Sequence, residues 1–244
     1  MQSTKHKEQS TASNAGTVLE TRTPPVLPAV PGGWTTRSID LGPLRVELTL
    51  PADPDAFLDD PQVLADHDRD GAMPYWPYLW PAALAMSRRM LAADWSAGMQ
   101  ALEIGAGVGL VGLAAAARGL DVTVSDYRQT AVDLAVHNAR RNGLANVRGR
   151  LLDWRASLAD VRFPLILGCD VLYETRNHAP ILNLLETMLA SGGTVWIGDA
   201  GRQHAAAFID QARQRGFTVT LSDAGGQPLA APQVGAFQLL ELQR

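Results

Sequence analysis

The sequence predicts an α/β fold in which a mostly parallel sheet of seven strands carries helices on both faces and ends in an antiparallel strand. Three observations lead to this prediction. From residue 98 onward, short apolar segments alternate with helical ones, the loops between them are short, and a glycine-rich turn follows the first apolar segment. Such alternation is typical of parallel sheets covered on both sides. A β-hairpin is expected to extend this domain at its N-terminal end.

The predicted strands are short apolar runs, and they occupy residues 101–104, 122–124, 147–152, 164–168, 194–198, 217–221 and 236–242. Helical periodicity fills the segments between them, at residues 110–118, 130–142, 179–190 and 204–215. The last two strands have no helix between them. They are therefore expected to form an antiparallel pair at one edge of the sheet.

The residues that precede the sheet divide into two parts. Residues 1–33 are predicted to be a disordered tail and linker, because they are polar at first and then rich in proline. Residues 34–97 are predicted to hold the hairpin, over residues 36–50, and an aromatic segment. The acidic stretch at residues 53–70 is expected to form a short helix or a lid. Residues 98–244 form the main domain of this scheme.

Composition excludes several classes of protein. The chain has 244 residues, of which 46% are hydrophobic, and its net charge is −4. An acidic balance argues against binding of nucleic acid through its phosphates. The single cysteine, Cys169, has no partner in the chain for a disulfide, and no apolar run approaches the length of a membrane span. With no secretion signal either, the protein is expected to be cytoplasmic. No metal-ligand spacing is present.

A glycine-rich loop is the strongest local motif. Gly105-Ala106-Gly107-Val108-Gly109 joins the first predicted strand of the sheet to a helix, and Glu103 lies two residues before it. Glycines let backbone N–H groups approach a ligand closely, and the helix N-terminus adds the positive end of a dipole. A dinucleotide fingerprint is G-x-G-x-x-G, which differs from the spacing here. The acidic Glu103 suits a cation, such as the sulfonium and ammonium of S-adenosylmethionine. A glycine turn that only packs helix on strand is the alternative.

Carboxylates also end the next two predicted strands. Asp126 follows the loop by about 20 residues, where a carboxylate can accept hydrogen bonds from both ribose hydroxyls. Asp153 can accept a hydrogen bond from an adenine amino group, and the indole of Trp154 can cover the adenine ring. The alternatives are a helix cap for Asp126 and core packing for Trp154.

With these residues in place, the chain resembles the class I, seven-β-strand, Rossmann-like S-adenosylmethionine-dependent methyltransferases over about residues 98–242. Two further segments narrow the resemblance. One is the aromatic segment, Pro-Tyr-Trp-Pro-Tyr-Leu-Trp-Pro at residues 74–81, and the other is Asp170-Val171-Leu172-Tyr173 after the fourth strand. Both resemble methyltransferase family 16, which contains protein-lysine methyltransferases with an Asp-x-x-Tyr motif. The bacterial branch that the chain resembles is often labelled nicotinamide N-methylase-like.

The resemblance implies a role for each matching residue. Glu103, Gly105 and Gly107 would hold the methionine part of the cofactor, Asp126 the ribose, and Asp153 with Trp154 the adenine. The other implied residues of the cofactor pocket are Trp80, Ala106, Tyr127 and Cys169. Asp170 and Tyr173 are implied as the catalytic pair that faces the methyl group and the acceptor nitrogen.

The expected reaction is methyl transfer to a protein lysine, and several alternatives stay open. A lysine must first lose a proton, since its ordinary pKa is near 10.4, and an apolar channel favours the neutral amine. Asp170 and Tyr173 would orient it, unless they serve as a loop cap and as core packing. A small nitrogen-containing metabolite is an alternative acceptor. An NAD-dependent oxidoreductase and a binding module without catalysis are further alternatives. His178 is predicted to be a cap or a surface residue.

Overall fold

A mixed sheet forms the centre of the molecule, and the computed structural model describes residues 18–19, 25–70, 73–156 and 161–244. The strands of this sheet, in chain order, are β1 (Val18–Leu19), β4 (Gln100–Ile104), β5 (Asp121–Asp126), β6 (Val147–Leu151), β7 (Phe163–Cys169), β8 (Leu189–Asp199), β9 (Thr218–Ser222) and β10 (Gln238–Gln243). A separate hairpin consists of β2 (Trp34–Asp40) and β3 (Arg45–Pro51). The helices are α1 (Pro61–Asp70), α2 (Pro81–Ala92), α3 (Leu110–Ala117), α4 (Gln129–Arg141), α5 (His178–Met188) and α6 (Ala205–Gln214). Short 3-10 helices cover Pro54–Asp59 and Thr175–Asn177.

The strand order of the sheet is β1-β6-β5-β4-β7-β8-β10-β9. The five strands from β6 to β8 are parallel, and β10 is antiparallel to both of its neighbours. The predicted fold class is thereby confirmed, including the antiparallel last strand and the pairing of the last two strands at one edge. The predicted hairpin is also confirmed, with full pairing of β2 with β3.

The edge beyond β6 differs from the prediction. Val18 and Leu19 pair antiparallel with Arg150 and Gly149 of β6, although they lie in the tail that we predicted to be disordered. An outer strand exposes unpaired backbone N–H and C=O groups, and even a two-residue apolar segment can satisfy some of them. The rest of the first 24 residues lies outside the described part of the chain, so the prediction of disorder there stays a prediction.

Helices cover both faces of the sheet, and each face has its own core. One core packs α2, α3 and α4 on side chains such as Ala101 and Leu165, whereas the other packs α5 and α6 on Leu102 and Ile166. Successive residues of β4 and β7 therefore point to opposite cores, as the two-residue period of a strand requires. Since both faces are buried, polar groups of the central strands are concentrated where the strands end. None of the helices in the described ranges is both long and apolar enough to cross a membrane.

His178 is placed differently from our prediction. It is the first residue of α5, but its side chain is fully buried, and its ring meets the ring of Phe208 edge to face at 5.4 Å. The prediction of a surface residue is wrong because the first turn of α5 enters the core between the sheet and α6. Burial lowers the pKa of the His178 imidazole, since the charged form loses its water.

Two asparagines dock the hairpin on the main domain, one within α4 (Asn138) and one directly after it (Asn142). The side chain of Asn138 accepts a hydrogen bond from the Thr49 amide at 2.8 Å, and it donates to the carbonyls of Thr49 and Val108 at 3.0 Å each. One turn later, Asn142 exchanges two hydrogen bonds with the backbone of Glu47 at 2.9 Å. The carbonyl of Val108 belongs to the glycine-rich loop, so Asn138 joins this loop to the hairpin.

Asn138→Ala should lower the free energy of unfolding by about 2–3 kcal/mol, because it leaves three buried backbone groups without a partner. Urea unfolding followed by circular dichroism measures this change. Asn142→Ala is the matched control: it removes a similar amide one turn later, at the end of α4, but its bonds to Glu47 are exposed, so the loss should stay below about 1 kcal/mol. Equal losses in the two variants would contradict the role of Asn138 in docking the hairpin.

Candidate functional site

A cleft of about 700 Å³ opens at the carboxyl ends of β4, β5 and β7. Open α/β sheets bind their ligands at this edge. The structure brings to this cleft all the residues that the sequence marked as a site except Asp153, namely Trp80, Glu103, Gly105, Ala106, Gly107, Asp126, Tyr127, Trp154, Cys169, Asp170 and Tyr173. These residues come from five separate segments of the chain, and the ends of the parallel strands bring most of them together.

The glycine-rich loop forms one wall of the cleft. Gly107 has a φ of 51°, and a Cβ atom there would lie 3.2 Å from the carbonyl oxygen of Trp76. Its backbone N–H donates to Oδ2 of Asp126 at 3.1 Å, which connects the loop to the end of β5. Gly109 instead allows the loop to pack closely on α4, because a Cβ there would come within 2.7 Å of the Cβ of Ala135. The packing alternative therefore applies to Gly109, whereas Gly107 faces the cleft.

Glu103 lies beneath this loop with its carboxylate buried. Only 2% of the residue is exposed, and its Oε2 has no hydrogen-bond partner in the protein. Gly112 of α3 makes room for it, since a Cβ at that position would collide with Oε2 and with the side chain of Val124. Burial raises the pKa of Glu103 from 4.5 to about 8. A buried carboxylate that lines a cleft and has no positive side chain paired with its Oε2 fits a ligand that carries a positive charge.

Asp126 ends β5 on the other side of the loop. Its Oδ2 accepts from Gly107, and its Oδ1 accepts from the backbone N–H of Arg128 at 3.0 Å. Burial raises the pKa of Asp126 to about 6, although these N–H donors favour its charged form. Asp126 therefore holds the loop in shape and also presents a carboxylate to the cleft.

The structure does not bring Asp153 into the main cleft. Its carboxylate is held by the guanidinium of Arg155, with Nη2 at 2.8 Å from Oδ2 and Nε at 2.9 Å from Oδ1. Asp153 instead lines an adjoining cavity of about 350 Å³, which shares Tyr127, Trp154 and Tyr173 with the cleft. Arg155 lies only two residues further along the chain, so its guanidinium can bond both carboxylate oxygens of Asp153.

Asp170 and Tyr173 line the cleft directly after β7. Asp170 has a φ of 54° and is the only residue other than glycine with a positive φ in the described ranges. Its Oδ1 accepts from the Ala200 amide at 3.2 Å and lies 3.4 Å from the guanidinium of Arg202. Its Oδ2 is buried and has no partner. Burial raises the pKa values of both Asp170 and Tyr173, while Arg202 opposes this rise at Asp170.

The aromatic segment forms the wall of the cleft next to Tyr173. The ring of Tyr75 meets those of Tyr173 and Trp80 edge to face, with centroids at 5.0 and 6.0 Å. The indole N–H of Trp80 donates to the carbonyl of Tyr75 at 3.1 Å. Tyr78 donates its hydroxyl to Asp55 at 2.7 Å, and Trp76 packs on Phe57. The acidic stretch forms two short helices, and the first of them, Pro54–Asp59, supports the segment through these contacts.

Sequence reasoning missed Arg202. It follows β8 in the loop Ala200-Gly201-Arg202, and its guanidinium reaches Asp170 and the rings of Trp80 and Tyr173. The sequence did contain a signal. β8 ends at Asp199 on the same edge of the sheet as β4, β5 and β7, so the residues that follow it were candidates by the same rule.

Fold and site together define a class I S-adenosylmethionine-dependent methyltransferase. Residues 72–215 match the family described as lysine methyltransferase, and the chain belongs to this family. The cofactor is S-adenosylmethionine. The loop spacing and the buried Glu103 agree with this cofactor and disagree with the oxidoreductase alternative, in which a dinucleotide pyrophosphate would face a buried carboxylate.

Individual proteins show the same likeness. The chain is 29% identical to the protein N-lysine methyltransferase METTL21A of Mus musculus over 150 residues, which are 58% of this chain and 68% of that protein. It is 34% identical to the histone-arginine methyltransferase METTL23 of Rattus norvegicus over 120 residues, which are 44% of this chain and 51% of that protein. The chain thus spans between half and about two thirds of the length of these relatives. The fold is that of the N-methyltransferase NodS from Bradyrhizobium japonicum WM9, solved with S-adenosylhomocysteine, with a TM-score of 0.55 at 17% identity over 76% of this chain and 99% of that one.

The buried Glu103 makes the stability of the cofactor-free protein depend on pH. Between its ordinary pKa of 4.5 and its folded pKa of about 8, the folded protein keeps a proton that the unfolded chain releases. The free energy of unfolding should therefore fall as the pH rises from 5.5 to 8, by up to about 1.4 kcal/mol per pH unit. Urea unfolding at several pH values measures this slope.

Glu103→Gln should remove most of that slope, because glutamine has no proton to release. The exposed Glu47 provides the control, and Glu47→Gln should leave the slope of the wild-type protein unchanged. A Glu103→Gln variant that keeps the full wild-type slope would show that another group is responsible.

Proposed function

We propose that this chain transfers the methyl group of S-adenosylmethionine to the side-chain nitrogen of a protein lysine. The observation that carries the proposal is the part of the cleft lined by Asp170, Tyr75, Trp80 and Tyr173, which we call the acceptor end. Aromatic rings adjoin there a carboxylate whose Oδ2 has no partner in the protein. Membership of the lysine methyltransferase family and the name of the mouse relative support the choice of lysine.

The same proposal assigns the cofactor-binding residues. The bound cofactor supplies a methyl group already activated on a sulfonium, so the protein has to position and desolvate the reactants. The negative charge of Glu103 faces the ammonium of the cofactor, Gly105, Ala106 and Gly107 line its methionine part, and Asp126 binds its ribose. The remaining walls of the cofactor pocket are Trp80, Tyr127, Trp154 and Cys169. Asp153 reaches the adenine only from the adjoining cavity, where Arg155 already holds it.

The acceptor amine must be neutral when it attacks. A cleft walled by Tyr75, Trp80 and Tyr173 disfavours the ammonium form, because the charged group loses its water there. Oδ2 of Asp170 then accepts a hydrogen bond from the amine and directs its lone pair to the methyl group. The nitrogen gains the N–C bond and gives up its proton to solvent, and the sulfur keeps the electrons of the broken C–S bond.

The division of the chain follows from this site. We propose that residues 98–244 form the methyltransferase domain and carry the cofactor edge, while residues 34–97 supply the hairpin and the wall at the acceptor end. We also propose that the protein works in the cytoplasm, on a protein partner and not on nucleic acid. A net charge of −4 and a single cysteine support this setting.

Labelling of a cell extract by the purified enzyme tests the acceptor. With isotopically labelled S-adenosylmethionine, we expect mass spectrometry to find labelled methyl groups on lysine side chains of a small set of proteins. Label on arginine would favour the activity named for the rat relative and contradict the choice of lysine. Label confined to the small-molecule fraction would overturn the protein substrate and favour a small nitrogen compound.

Gly107→Arg should abolish turnover and lower the affinity for S-adenosylhomocysteine about 100-fold or more, equivalent to roughly 2.7 kcal/mol. The reason is that a side chain at this glycine meets the backbone of Trp76 at the wall of the cleft. Gly143→Arg is the matched control: Gly143 also has a positive φ, 74°, but nothing lies within 4 Å of its Cβ position. Isothermal titration calorimetry measures both affinities. Wild-type affinity in Gly107→Arg would contradict the assignment of the cleft to the cofactor.

A further inference from the structure

Arg202 connects three residues that line the acceptor end of the cleft. Its Nη2 lies 3.4 Å from Oδ1 of Asp170, and its guanidinium carbon lies 5.6 Å from the ring centre of Trp80 and 6.0 Å from that of Tyr173. Asp170 and Tyr173 follow β7, whereas Trp80 precedes α2. One cation therefore contacts a carboxylate and two aromatic faces, which are the partners that a guanidinium prefers.

The protein holds the backbone of Arg202 firmly. Oδ1 of Asp199, at the end of β8, accepts from the amides of Gly201 and Arg202 at 2.8 Å each, and from the side chain of Gln238 at 3.0 Å. Asp199 and Gln238 are both fully buried. Only 29% of the Arg202 side chain is exposed. The loop after β8 is therefore built on a buried polar network, and the guanidinium is aimed at the acceptor end of the cleft.

The two oxygens of Asp170 have different surroundings. Oδ1 is used by the Ala200 amide and by Arg202, whereas Oδ2 is buried and has no partner. An ion pair at Oδ1 limits rotation of the carboxylate and leaves Oδ2 as the oxygen without a partner inside the protein.

We propose that Arg202 is a positioning residue for methyl transfer: it keeps the Asp170 carboxylate charged and turned so that Oδ2 faces the acceptor nitrogen. The guanidinium lies over the rings of Trp80 and Tyr173, and these two contacts hold it in place. The part that concerns the acceptor rests on the proposed function, but the effect on the charge and orientation of Asp170 does not.

The charges around Asp170 show why a cation is needed. Burial and the neighbouring carboxylate of Asp199 both raise the pKa of Asp170, while Arg202 and the Ala200 amide lower it. The other titratable groups on this side are Cys169 next to it, Tyr173 after it and the buried Glu103 of β4, none of which is a cation. Without Arg202, the protonated acid would be favoured, and a protonated Oδ2 no longer presents a carboxylate to the amine.

Carbon-13 NMR of protein labelled at its aspartate carboxyl groups measures this effect directly. Asp170→Asn identifies the Asp170 signal by its absence. Arg202→Gln should move the titration midpoint of Asp170 upward by about one pH unit or more, because a cation within about 4 Å lowers a carboxyl pKa by about 1–3 units. Arg202→Met, which keeps the apolar stem, is a second uncharged variant in case the glutamine variant does not fold. Arg202→Lys should keep the midpoint near that of the wild type.

Arg215→Gln is the matched control. Its side chain is also 29% exposed and also pairs with a carboxylate, Glu186 at 3.3 Å, but it lies outside the residues that line the cleft. This variant should leave the Asp170 midpoint and the activity unchanged.

Activity adds a second measurement, taken with whichever fraction of the extract the wild-type enzyme labels. In Arg202→Gln, the acidic limb of kcat/KM should move to higher pH together with the Asp170 midpoint, and kcat at pH 7 should fall about tenfold or more. Arg202→Lys should restore the pH profile but not the full kcat, because an ammonium does not stack on the two rings as a guanidinium does.

An unchanged Asp170 midpoint and an unchanged pH profile, in a folded Arg202→Gln or Arg202→Met variant that binds S-adenosylhomocysteine like the wild type, would overturn the proposal. This outcome is distinct from failure of the proposed function. If the wild-type enzyme labels no protein lysine, the choice of acceptor is wrong, while the NMR titration still decides the role of Arg202.

Discussion

The buried carboxylate of Glu103 is the constraint on which the rest of the site depends. A carboxylate out of water is unfavourable unless it finds a positive partner, and Oε2 of Glu103 finds none within the protein. The surrounding residues nevertheless make space for it: Gly112 has no side chain at the point of contact, and the glycine-rich loop runs directly above. Burial of this carboxylate therefore lowers the stability of the fold locally, and a cationic ligand at this position offsets that loss.

The segments between β1 and β4 are part of the same arrangement. The hairpin is joined through Asn138 to the carbonyl of Val108, in the glycine-rich loop that lines the cleft. Residues of the aromatic segment at 74–81 also line the cleft, and the 3-10 helix Pro54–Asp59 supports this segment through Phe57. Residues that lie well before β4 in the chain therefore help to enclose the cleft.

The carboxylates of the cleft differ in their surroundings. Glu103 and Asp126 are buried, and burial raises the pKa values of both. The carboxylate of Asp170 is matched by the guanidinium of Arg202. Glu103 and Asp126 therefore suit a cationic ligand, whereas the charge of Asp170 is already balanced inside the protein.

The sequence by itself determined the fold class and predicted most of the residues that meet in the cleft, because both depend on local patterns. Apolar runs in alternation with helical periodicity specify a doubly covered sheet, and chemistry-bearing residues at strand ends such as Asp126 and Asp170 must meet where parallel strands end. Only the tertiary structure decided the pairing of those groups in space. It placed Asp153 on Arg155 outside the main cleft, buried His178 against Phe208, and brought Arg202 to Asp170 from 32 residues further along the chain. The physical reason is that periodicity records which face of an element is apolar, whereas ion pairs and ring contacts depend on which elements pack side by side.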